Sequence, residues 1–436
     1  MLELILIMIF GIAVGIFTGL LPALPVFTGP FLLYYFYSDF PVESLIIFWL
    51  SVVSGSQFFG SVATITTKIP GEESSAIYLK DLNGMSNVVR NELLYATAVG
   101  SFIAGMIGVG VLWLTTQHIN VDLLPALMSL DVQIVIYTAA ILSFFFVNKN
   151  IWWTLALIAL GILIGPRNNY ALSDWWYQIQ FAFQGYTFYM VILGTILLPE
   201  IFGKSETNAL KDVLKNPHAK DKDNRFMNFG MFKNSFLGSF AGLIPGPSAS
   251  LGSTYAYRLA GKNKGDKIVA AETANNASVI TSAIPFLLLA LPINTNTMIM
   301  SNLMDMKSVD INYAILEQSY LFPSLTVIEV AMIALVLCLL IYYALSTNLI
   351  NWYVSIMDGL HNKAKYVLIA IVSALIFVDL YSSEITVGNY LMLLSFFTAI
   401  GFVLKRYNVN PIVLLFSIIL SDKLIWLYIQ MYNIYF

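Results

Sequence analysis

The chain has 436 residues, 58% of them hydrophobic and 11% charged, and a net charge of −3. A soluble domain carries about 25% charged residues, so this one lacks the polar surface of a water-exposed body, and a pI near 5.7 offers no basic face for nucleic acid. One cysteine, Cys338, and three scattered histidines, His118, His218 and His361, rule out an intramolecular disulfide and argue against a Cys- or His-based metal centre.

Runs long and apolar enough to cross a hydrocarbon core of about 20 residues follow from end to end. In chain order they lie near 2–20, 29–37, 43–66, 93–116, 131–147, 151–165, 186–202, 231–257, 269–291, 325–346, 366–380, 386–404 and 410–435. The first begins at the second residue, with neither a basic n-region nor a small-residue cleavage site, and reads as a retained membrane helix. It carries a small-residue ladder, Gly11, Gly15 and Gly19, of the kind that lets helices approach closely in lipid.

The longest polar stretch, 203–233, is rich in lysine and separates two halves. A second basic loop holds Arg258, Lys262, Lys264 and Lys267. The positive-inside rule puts both loops on the cytoplasmic side. The apolar run between them must then enter and leave on one face, as a re-entrant hairpin. Its middle, GLIPGPSASLGS from Gly242 to Ser253, has the prolines and glycines that interrupt a helix. The first half has a counterpart in GLLPALPVFTGP, Gly19 to Pro30. Paired Pro-interrupted segments at corresponding places in two halves point to a repeat-built transporter.

The expected fold is an all-α polytopic membrane protein of about ten to twelve membrane elements, in two related, inverted halves with Pro/Gly-broken re-entrant hairpins. The first half spans 1–202, with broken segments near 19–30 and 68–76. A basic cytoplasmic linker covers 203–233, and the second half spans 234–436, with broken segments near 242–253 and 285–297.

Candidate site residues follow from what a membrane tolerates. Non-helical backbone at membrane depth must be buried in protein or line an aqueous cavity. Half-helix N-termini there suit a carboxylate, and freed carbonyls suit a cation. That singles out Pro22, Thr28, Pro245, Gly246, Ser248 and Ser250 for an anionic substrate, or as plain kinks packed against neighbours. In AETANNAS, Glu272 and Asn276 stand four apart on one helical face, with Asn275 adjoining. A carboxylate and two amides are expensive in a membrane and mark a substrate or ion site; inter-helical hydrogen bonding is the plainer reading. Oxygen-rich groups suit Na⁺, and a carboxylate alone can carry a proton.

Two further groups stay open. If the TKIPGEESS turn lies deep, Lys68 and Glu72 can pair, leaving Glu73 to a cation; at the membrane face all three are ordinary interfacial charges. Asn294 and Thr295, after Pro292, fit either a second broken helix holding an ion or a polar outer loop. Asp422 and Lys423 interrupt the last apolar run as a local pair or a helix break. The chain has no HExxH, GxSxG or Walker A loop, and no polar domain large enough for a nucleotide, so an ion gradient is the expected driving force.

At these residues the chain resembles the large membrane subunit of the tripartite tricarboxylate transporters, the TctA family. The resemblance rests on GLLPALP, on FGSVATITTKIPGEESSAIYLKDLNGM, on GLIPGPSAS followed by AETANNAS, on IPFLLLALPINTNT, and on the closing SIILSDKLIWLYI. The order and spacing of the five carry it, since each is short. The chain departs from the family pattern at Ala23 and Pro25, where glycines are lost, and at Glu72 and Glu73, where a PGTP-like turn becomes PGEE.

The resemblance implies a multi-pass permease of the bacterial inner membrane that moves a di- or tricarboxylate with Na⁺ or H⁺ as coupling ion and no other cofactor. It also implies two partners, a small membrane subunit and a periplasmic substrate-binding protein. The competing classes are a non-transporting intramembrane enzyme or scaffold, and a transporter of a non-carboxylate ligand. Dimerisation is open.

Overall fold

The computed structural model describes residues 2–20, 41–67, 73–79, 81–82, 85, 87–118, 129–148, 150–165, 183, 186–202, 236, 240–243, 248–283, 286, 297, 300, 327–360, 364–382, 385–407 and 409–435. Among them every regular element is helical. In order these are α1 Leu2–Leu20, α2 Val42–Thr67, a 3₁₀ turn Glu73–Tyr78, α3 Asn87–His118, α4 Leu130–Val147 and α5 Ile151–Ile164. Next come α6 Phe188–Ile192, a π turn Leu193–Leu197 and α7 Leu198–Phe202, then α8 Ser248–Leu259 and α9 Lys264–Thr281. The chain closes with α10 Val327–Leu360, α11 Ala364–Ser382, α12 Val387–Arg406, α13 Ile412–Ile419 and α14 Ser421–Tyr435.

Four described helices are long and apolar enough to cross a bilayer: Leu2–Leu20, Ser44–Thr66, Val89–Val111 and Val387–Arg406. Ile412–Ile418 and Ser421–Asn433 pass the same test only together, bent by 70° at the break between them, as a broken span or a re-entrant loop does. Asp422 stands in the first turn of α14, directly after this break. Starts and stops follow local chemistry. The Asn150 and Asn263 side chains cap α5 and α9, accepting from the amides of Trp152 and Gly265 at 2.9 and 3.0 Å. Gly261, after α8, has φ of +84°, a conformation only glycine adopts freely, and so the chain turns there into α9.

The chain divides into two compact units. Unit 1 is Met1–Ser129 with Glu206–Ile356, and unit 2 is Leu130–Ser205 with Met357–Phe436. Each unit therefore takes one stretch from either side of the polar linker.

In unit 1, α2 is the central helix, with 94% of its apolar window buried. It is unusually polar for that position. Ser51, Ser54, Ser56, Ser61 and Thr66 are buried, and each hydroxyl donates to a carbonyl one turn back, at 2.7, 2.8, 3.1, 3.1 and 2.5 Å. Back-bonding of this kind satisfies the hydroxyls within the helix. It lets small polar residues occupy a helix that has no water. The Gly ladder of α1 packs on α2 so closely that a Cβ at Gly15 would lie 2.3 Å from the Val52 carbonyl oxygen. α9 lies across α3 and packs on α8, the 3₁₀ turn and α2.

In unit 2, α5 packs on α13, and the π turn packs on α12. The buried Asp379 of α11 accepts from Thr187 Oγ1 at 2.8 Å and from Tyr390 OH at 2.7 Å. Thr187 precedes α6 and accepts the Met190 amide at 3.0 Å. One carboxylate thereby gathers the ends of three helices.

Candidate functional site

α9 presents a strongly polar buried surface in unit 1. Almost every residue from Ile268 to Thr281 is buried, with Glu272 at 3% exposure and Asn275 and Asn276 at 2%. The alanines at 270, 271, 274 and 277 are fully buried. Small side chains bring neighbouring helices close enough for short polar groups to reach one another, the packing logic of membrane interiors.

The polar residues of α9 reach α2, α3 and the 3₁₀ turn. Asn276 Nδ2 donates to Ser101 Oγ of α3, and also to the Gln57 backbone carbonyl of α2 at 3.4 Å. Ser101 Oγ passes its own proton to the Thr97 carbonyl at 2.6 Å. Asn275 Nδ2 donates to the Gln57 side-chain oxygen at 3.2 Å and to Asn276 Oδ1 at 3.3 Å. The Glu272 carboxylate accepts the Tyr78 hydroxyl from the end of the 3₁₀ turn. Thr273 Oγ1 is buried without a hydrogen-bond partner. It faces α3 at Gly100, where a Cβ would come within 2.4 Å of it.

The 3₁₀ turn and the residues just after it are tied to α8 at two points. Ser253 Oγ of α8 donates to the Ser74 carbonyl at 3.2 Å, and Tyr257 OH donates to Asp81. Tyr257 lies beside the charged α8–α9 loop. Arg90, in the first turn of α3, is 3% exposed and donates to the carbonyls of Thr66 at 3.0 Å and Leu82 at 3.3 Å. These bonds join the C-terminus of α2 to the far side of the turn.

Of the residues expected from sequence, Glu272, Asn275 and Asn276 come together on one buried helix. Ser250 is half-buried on α8, and Ser248 begins that helix directly after the Pro/Gly interruption. Pro22, Thr28, Lys68, Glu72, Pro245, Gly246, Asn294 and Thr295 lie outside the described residues. Glu73 opens the 3₁₀ turn.

The structure adds Gln57, Tyr78, Ser101, Thr273 and Arg90, none of which the motifs had picked out. For Gln57 a signal existed: an amide within an apolar span is costly and seldom idle. Ser101 and Thr273 had none, because serine and threonine are common in membrane helices.

Chemically the cluster offers amide and hydroxyl oxygens of the kind that bind a hard cation, beside a carboxylate able to hold a proton. Apolar helical spans around a dry, oxygen-rich cluster define an all-helical, multi-pass membrane protein. The sequence model of the tripartite tricarboxylate transporter TctA family matches residues 5–416, and the chain belongs to that family. A relative in Agrobacterium vitis, described as an uncharacterised 52.8 kDa protein in the TAR-I ttuC′ 3′ region, is 27% identical over 312 residues. That match covers 65% of this chain and 60% of the relative, so the chain spans less than two thirds of the curated relative's length. No solved structure matches the chain.

Proposed function

We propose that this chain is the large permease subunit of a secondary transporter that carries a di- or tricarboxylate across the bacterial inner membrane by alternating access. Na⁺ or H⁺ is the coupling ion, and no other cofactor takes part. One observation carries the reading. Gln57 and Ser101 from the first half of the sequence, and Asn275 and Asn276 from the second, form one buried hydrogen-bonded cluster, with the buried Glu272 four residues earlier on the same helix. Binding sites at the interface of two repeats are where secondary transporters hold substrate and ion. Ser248 and Ser250, beside the second Pro/Gly interruption, are the nearest candidates for the substrate carboxylates, with Pro245 and Gly246 supplying backbone. Pro22 and Thr28 do the same in the first half. Glu272 and Asn276 are assigned to the coupling ion, with Glu72, Asn294 and Thr295 as further ligands.

Membership of this family supports two partners, a small membrane subunit and a periplasmic protein that delivers substrate. The test is a thermal-shift series on the purified full chain against citrate, succinate and malate, each with and without Na⁺ and at two pH values. Stabilisation that needs both a carboxylate and Na⁺, or a carboxylate and low pH, supports coupled binding, and Asn276→Ala should abolish it. A flat response to every carboxylate under every condition rejects the substrate class.

A further inference from the structure

Arg90 occupies an unusual electrostatic position. It stands in the first turn of α3, where the peptide dipoles already make the local potential positive. Its guanidinium is all but sealed from solvent. Both of its acceptors among the described residues are carbonyl oxygens, Thr66 O and Leu82 O, which are neutral. Its Nε is buried and has no hydrogen-bond partner among the described residues. Carbonyl dipoles soften the cost of burying a cation but do not cancel its charge, and a buried charge in a membrane protein ordinarily finds a counter-charge.

We propose that Arg90, with the first-turn amides of α3, is an anion subsite that engages a carboxylate group of the transported ligand; this rests on the function proposed above. The guanidinium is a rigid planar fork that matches a carboxylate with two parallel hydrogen bonds. Nε–H is one such donor, and each terminal nitrogen retains a second hydrogen beyond the one given to a carbonyl. The first-turn amides of a helix have no partner within it and add to the same anion-binding end. Thr66 lies nine residues beyond Gln57 on α2, and Arg90 eleven residues before Ser101 on α3. At 1.5 Å per residue the subsite is therefore about 13–16 Å along these two helices from the amide cluster. It stands at the end of α2 and the start of α3, where an anion would be held before or after it reaches the cluster.

The test uses the full-length chain in nanodiscs and measures equilibrium binding of citrate, succinate, sulfate and inorganic phosphate to wild type, Arg90→Gln and Arg90→Lys. A carboxylate subsite predicts that Arg90→Gln weakens citrate and succinate by about tenfold or more, with partial recovery in Arg90→Lys. Sulfate and phosphate should bind more weakly than the carboxylates in wild type. In parallel, hydrogen exchange on wild type should show that citrate protects the amides of 87–92, which requires no variant to fold. Citrate affinity within twofold of wild type in a folded Arg90→Gln, or unchanged exchange at 87–92 while citrate binds, overturns the subsite and leaves the transport reading standing. Tighter sulfate or phosphate than carboxylate binding reassigns the subsite to inorganic anions. A wild type that binds no carboxylate at all rejects both.

Discussion

Asn275 donates to the Gln57 side-chain oxygen across 3.2 Å and 218 residues of sequence, joining the two halves of the chain at a buried site. Gln57 serves twice, because its backbone carbonyl also accepts from Asn276. Gln57→Ala removes the first acceptor and keeps the second. The expected cost is about 1–3 kcal/mol of stability, from a buried amide donor that loses an acceptor. The double variant with Asn275→Ala should cost less than the sum of the singles, because both remove the same bond. Thermal unfolding of the four proteins measures this, and additivity would refute the coupling. Carboxylate uptake into proteoliposomes should fall in both singles.

Tyr78→Phe deletes one hydroxyl, the donor to Glu272. The segment from the 3₁₀ turn to Asp81 then loses one of its three side-chain ties to α8 and α9. Amides of 73–82 should exchange faster by hydrogen-exchange mass spectrometry, while those of α1 stay unchanged. The bond accepts at a carboxylate, so a loss of about 1.5–3 kcal/mol is expected. Equal exchange in both proteins would show that the turn is held by other contacts.

Gly15 and Gly110 make a controlled pair. An added Cβ at Gly15 would sit 2.3 Å from the Val52 carbonyl oxygen, whereas at Gly110 it meets nothing within 4 Å. Gly15→Ala must push α1 away from α2 and should cost about 1–3 kcal/mol. Gly110→Ala should be neutral or stabilising by up to about 1 kcal/mol, since alanine is the better helix former. Melting temperatures in detergent decide it, and a tolerated Gly15→Ala would contradict the tight crossing.

Asp379→Ala should destabilise unit 2, because Thr187 and Tyr390 lose their shared acceptor. Asp379→Asn keeps one acceptor oxygen and the shape, so it should cost less, with the alanine variant lower by about 1–3 kcal/mol. Trypsin resistance of the folded protein, followed over time, ranks the three. An alanine variant as resistant as wild type would mean that Asp379 is not what gathers those helix ends.

The sequence by itself determined the class, the helical content and most helix positions. Apolar runs near 2–20, 131–147, 151–165 and 386–404 became Leu2–Leu20, Leu130–Val147, Ile151–Ile164 and Val387–Arg406. The reason is local: in lipid a backbone must satisfy its own hydrogen bonds, so an apolar run of sufficient length has one available structure. Glu272, Asn275 and Asn276 were legible for the same reason, since polar groups in such a run are costly.

Tertiary structure alone decided which groups those residues meet. Glu272 finds Tyr78, Asn276 finds Ser101, and both asparagines find Gln57, over separations of 175 to 219 residues. Arg90 belonged to no motif, yet in the fold it is buried against the end of α2. Composition sees the cost of a charge, but only packing reveals whether water or protein surrounds it.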